Sequence, residues 1–169
     1  MNRTRKGFTL LELLTVIAIM GILGSMGMIA GQEATSAAKA TAIADNLEKL
    51  ATAAMMFYSE NSTEIDKTGT LDGTTAFAAA TLQAGINAYL KETNAIGAVA
   101  AANTYFAAVG TEDAAAKTWW IGYQFGTSDG DVQAKRAMAN KANRMGLVTE
   151  VGGSTTFTAT SDVLYMKIR

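Results

Sequence analysis

Apolar residues in this chain follow two spacings, with one long uninterrupted run near the start. Residues 13–31 include no charged side chain. As a helix, these 19 residues would be about 28 Å long, enough to cross the hydrocarbon core of a bilayer. Arg3, Arg5 and Lys6 stand just before the run, and Glu12 stands at its edge. A carboxylate inside such a core costs about 3 kcal/mol unless something pairs with it. Further on, Ile43, Leu47, Leu50, Ala54 and Phe57 recur at spacings of four and three, forming one apolar stripe. Lys39, Asp45, Glu48 and Lys49 fall on other faces. The pattern predicts one helix over 9–59, about 77 Å long if unbroken.

Residues 59–73 are mostly polar, with Ile65 and Leu71 as the aliphatic exceptions, and read as a loop. Asn61-Ser62-Thr63 within it fits a short, common glycosylation pattern. Phe77, Leu82, Ile86 and Tyr89 are spaced for a second helix over 74–90. The Ala-rich stretch 95–116 reads as part helix and part loop. Then the period changes to two. Trp119, Ile121, Tyr123 and Phe125 alternate with Trp120, Gly122 and Gln124, as in a half-buried strand. Ser128-Asp129-Gly130-Asp131 can cap a helix with Val132, Met138, Ala142 and Met145 as its apolar positions, ended by Gly146. Residues 147–151, 155–160 and 163–168 are further strand candidates. The fold class expected is α+β, a long N-terminal helix packed on a small antiparallel sheet.

Composition narrows what such a fold can do. The 169 residues allow one domain on an extended helix. There is no cysteine, which excludes a disulfide framework, a thiolate metal site and a lipidated cysteine. There is no histidine, which removes the commonest metal ligand and the commonest general base. A net charge of −1 gives nucleic acid no footing as the primary partner. No nucleophile–base set stands out, and no cofactor is expected, so the chain reads as not an enzyme. Asp129 and Asp131 are weak calcium candidates, and helix capping explains them better. Trp119-Trp120 could form a stacking platform, although one inward and one outward Trp is the commoner meaning.

Ahead of the apolar run, Arg3, Arg5 and Lys6 place the N-terminus in the cytoplasm by the positive-inside rule. A cleaved signal peptide, cut after Ala38-Lys39-Ala40, fits poorly because the run is long and leads into a helical pattern. Gly7-Phe8-Thr9-Leu10-Leu11-Glu12, with the basic leader before it and residues 13–23 after it, resembles the type IV pilin and pseudopilin family. The resemblance covers about the first 30 residues. It implies a pilin-like fold with a leader at 1–7, a membrane and filament-core helix at 8–31, its amphipathic continuation at 32–59 and a globular head at 60–169. It also implies cleavage between Gly7 and Phe8 by a prepilin peptidase that then methylates the Phe8 amine.

Cleavage would remove three cationic side chains, leaving 11 basic against 15 acidic. It would also create an amine at Phe8, which stays cationic when methylated. Glu12 then has a partner in the amine of a neighbouring subunit, since two charges that are costly to bury separately are tolerable together. The expected partners are identical or related subunits, the prepilin peptidase, an inner-membrane assembly platform and, before assembly, the bilayer. The head would lie outside the cytoplasmic membrane, on a surface pilus or a periplasmic pseudopilus. A secretion-system pseudopilin and a minor pilin with a ligand-binding head are the alternatives. Gly21, Gly24, Gly27 and Gly31 admit two readings, close helix packing or local softening in a filament. The chain has no proline, which argues against a sharp kink.

Overall fold

The computed structural model describes residues 8–68, 78–90, 96–97, 101–110 and 118–169, leaving out the side chains of 26–30 and 64–68. Its elements are α1 (Leu10–Thr68), α2 (Ala79–Ala88), β1 (Thr104–Val109), β2 (Trp119–Gln124), α3 (Asp129–Met145), β3 (Leu147–Val148) and β4 (Val163–Lys167). The chain divides into two compact units, Met1–Thr35 and Ser36–Arg169. The architecture is α+β, as the residue pattern predicts.

In the first unit, the described side chains of α1 are all exposed. Among the described residues no helix is long and apolar enough to cross a membrane. The apolar run is described side chain by side chain only as far as Ser25. Its polar members bond to their own helix. Thr15 Oγ1 donates to the Leu11 and Glu12 carbonyls at 3.1 and 2.9 Å, and Ser25 Oγ donates to the Ile22 carbonyl at 2.8 Å. Such back-bonding leaves no hydroxyl asking for water.

The second unit is built around the stripe. Ile43, Leu47, Leu50, Ala54 and Phe57 are all buried, as their spacing predicts. Against them lies a four-stranded antiparallel sheet in the order β1-β2-β4-β3. Phe57 and Tyr58 meet Trp119 of β2 at ring-centroid distances of 6.0 and 5.6 Å. Leu82 and Ile86 of α2 are buried in the same core, and Gly85 passes so close to Phe57 that a Cβ there would lie 2.6 Å from the ring.

Several elements differ from expectation. α1 does not stop at Ser59 but runs on to Thr68. Polar residues do not end a helix by themselves, and the first glycine or proline after Gly31 is Gly69. Asn61 therefore stands on a helix, its Nδ2 donating to the Phe57 carbonyl at 2.9 Å, and not on a loop. α2 is shorter than predicted, and Phe77 lies outside the described residues. Within 95–116 a strand appears, β1, where alanine content suggested helix. Tertiary context overrides propensity there: Ala107 and Ala108 pair with Ile121 and Trp120, where small side chains leave room for large ones.

β2 is not half-buried. Trp119 is 0% and Trp120 is 4% exposed, so neither offers a stacking surface. Trp120 shares the sheet's other side with Lys167, whose Nζ stands 5.8 Å from the ring centroid. Beside it the Phe106 ring lies against Gly122, where any Cβ would collide with it, and meets Tyr165 edge-on at 5.6 Å. α3 starts and ends where predicted. Ser128 caps it in a reciprocal box with Asp131, and Gly146 closes it at φ 64°, a left-handed conformation that favours glycine. Val132 is exposed and Ala134 takes the inward place. Of the stretches 147–151 and 155–160, only β3 and a single bridge from Val148 to Thr156 pair with a neighbour.

Candidate functional site

Two places held chemistry in the sequence: the start of α1 and the pair Asp129 and Asp131. Gly7 lies outside the described residues. Phe8 is 83% exposed, and α1 begins two residues later at Leu10. Thr9 stands between them as the residue that caps the helix. Its backbone N–H and its Oγ1 donate to Glu12 Oε2 at 3.0 and 2.9 Å, and its Oγ1 accepts from the Glu12 N–H at 3.3 Å. This is a capping box, Thr-x-x-Glu, in which each residue satisfies an orphan backbone donor of the other.

The box changes the meaning of Glu12. Part of the hydrogen-bonding capacity of the Glu12 carboxylate is taken up within the chain by Thr9. The negative charge also sits in the first turn, where the helix dipole favours it. Both bonds from Thr9 land on Oε2, whereas a carboxylate offers two oxygens and about four acceptor positions. Among the described residues Oε1 accepts no bond, so Glu12 can take a cationic amine without giving up its cap. Thr9 is the residue the sequence reading passed over. Its signal was in plain view, a Thr three residues before a Glu at the head of an apolar run.

Around this box the surface is unusual for a protein in water. Phe8, Leu10, Leu11, Leu13, Leu14, Val16, Ile17, Ile19, Met20, Ile22 and Leu23 are each between 43% and 83% exposed. Burying these 11 side chains is worth on the order of 20 kcal/mol. A patch of that size marks an interaction with lipid or with protein.

Asp129 and Asp131 are separated in role. Asp129 is exposed in the first turn of α3. Asp131 is 2% exposed, and its oxygens are taken. Lys39 of α1 donates to Oδ1; Ser128 Oγ and Asn103 Nδ2 donate to Oδ2 at 2.7 and 3.4 Å. Burial pushes the Asp131 carboxyl up, but the bonds from Lys39, Ser128 and Asn103 outweigh it and hold the carboxyl at about 2. Among the described residues no three acidic or imidazole side chains gather into a metal-holding group. What the structure builds at Asp131 is an ion pair on a helix cap.

The family described as "Prokaryotic N-terminal methylation motif" matches residues 2–28. The chain therefore carries the signature of type IV pilins and pseudopilins over residues 2–28. That signature implies processing by a prepilin peptidase, a membrane-anchored pilin-type protein and assembly with other pilin subunits. No curated protein and no solved structure matches the chain.

Proposed function

We propose that this chain is a structural subunit of a type IV pilus-like filament. It enters the membrane through residues 8–31, with its N-terminus in the cytoplasm and its head on the far side. Prepilin peptidase cuts between Gly7 and Phe8 and methylates the new amine. An assembly platform in the inner membrane then adds subunits through their N-terminal helices, Glu12 of each meeting the Phe8 amine of a neighbour. In this reading the protein is not an enzyme and needs no cofactor.

The observation that carries the reading is the uncovered apolar segment headed by a single carboxylate, inside the matched signature. Lipid covers the apolar side chains before assembly, and neighbouring subunits cover them afterwards. Lipid cannot serve the spare oxygen of Glu12, whereas a neighbour's amine can. Assembly is thus favoured at the charged point of the segment. The test is Glu12→Ala. The variant should insert and be cut, and filament yield should fall at least tenfold. Filaments at normal abundance would overturn the pairing. The share of this chain in sheared filaments separates a major subunit from a minor one.

A further inference from the structure

We infer that the Lys39–Asp131 ion pair is a stop that confines unwinding of α1 to the residues ahead of Ser36. Gly21, Gly24 and Gly31 are poor helix residues, and nothing lies within 4 Å of where their Cβ atoms would be. No described side chain before Ser36 is buried. This part of α1 rests on its own hydrogen bonds.

Past Ser36 the helix is held, but unevenly. Ser36 and Ala40 are buried yet small, so they cover little apolar area. The first large apolar anchor is Ile43. Over the turns between, the tethers are polar. Thr41 accepts from Lys141 Nζ at 3.0 Å, an exposed bond of small worth. Lys39 reaches further: it meets the sealed carboxylate of Asp131 and donates to Asn103 Oδ1 at 3.3 Å. Asn103 is fixed in turn, donating to Asp131 and accepting from the Tyr123 hydroxyl at 3.0 Å.

Letting go of Lys39 would leave a carboxylate buried without its cation, which makes this contact costly to break. An unwinding front moving from the glycines toward the head therefore stops at the ion pair, one turn short of the first large apolar anchor, Ile43. The device belongs to the second unit alone and acts in a single subunit, so it stands whether or not the chain polymerises.

Amide hydrogen exchange on the full chain in detergent micelles tests it. In the wild-type protein, protection should rise sharply between residues 36 and 40. In Lys39→Met, amides 37–42 should exchange about fivefold faster, the worth of one part-buried charge-assisted bond. Amides 44–57 should stay protected, moving the boundary to Ile43. Lys39→Met with Asp131→Asn should give the same shift without a stranded charge, which covers the case where the single variant fails to fold. Lys135→Met breaks another ion pair of the same unit, Lys135 with Asp162, and should leave 37–42 unchanged. Unaltered protection in the Lys39 variants overturns the inference. So does loss spread over the whole unit, or an equal opening in Lys135→Met.

Discussion

One helix, α1, is buried in one stretch and bare in another. From Leu10 to Leu23 its large apolar side chains are exposed on every side, with no periodic polar face. From Ala40 to Phe57 the larger apolar side chains form one buried stripe, with Met55 and Met56 exposed beside it, while Asp45, Glu48 and Lys49 are exposed. Both stretches have the same backbone and the same hydrogen bonds, so the difference lies in what each expects around it. A helix that is apolar all round is made for lipid or for a core supplied by others, and an amphipathic one for a core of its own chain. Polar residues mark the same contrast. Thr15 and Ser25 turn back onto their own carbonyls, whereas Asn46 reaches across to the Tyr105 hydroxyl at 3.1 Å.

Substitutions of the same kind in the two stretches should separate them most clearly. Leu47→Ala empties a fully buried site and should cost about 3 kcal/mol of head stability, read by denaturant unfolding in micelles. Leu14→Ala, at a 60% exposed position, should leave that transition within about 0.5 kcal/mol. A similar loss from both would mean that the N-terminal stretch is also part of the folded core.

Acid should act on the packed stretch through Asp131. Asp131 has its pKa lowered from 3.8 to about 2, so its contribution is present above pH 4 and is lost as pH falls from about 4 to 2. The full shift would correspond to about 2 kcal/mol, but the Lys39 side chain is 37% exposed, and screening brings this to about 1 kcal/mol. Thermal unfolding against pH should show this slope in the wild-type protein and lose it in Asp131→Asn. An unchanged slope in the variant would remove Asp131 from the account.

The smallest effect belongs to the bare stretch. Thr9→Val removes the side-chain cap of α1 and should cost about 1 kcal/mol, felt only in the first turn. Exchange of the Glu12 amide, which donates to Thr9 Oγ1, should quicken, with no change beyond Ser36. Equal exchange in both proteins would show that the box with Glu12 is not formed in micelles.

How far each stretch could be read from the sequence follows the same divide. The stripe of α1, the cap and close of α3 and the alternation in β4 are local patterns, and the residues alone disclosed them. β1 was hidden because its strand character comes from the partner it pairs with, not from its alanines. The burial of Trp120 was hidden because alternation along β2 says nothing about the sheet's second side, where Phe106, Tyr165 and Lys167 stand. The continuation of α1 to Thr68 was missed because polarity was taken for a break. At the N-terminus, Glu12 stood out as a carboxylate in an apolar run, and that anomaly drew attention away from Thr9. The pairing of Lys39 with Asp131 lies 92 residues apart in the chain, and no local pattern could have announced it.

The account rests on the bare stretch being the processed head of a filament subunit, and the N-terminus of the mature protein tests that most directly. Mass spectrometry of the protein purified from membranes or sheared filaments should find a chain beginning at Phe8, with one added methyl on its amine. A chain beginning at Met1, or one beginning after Ala40, would contradict it.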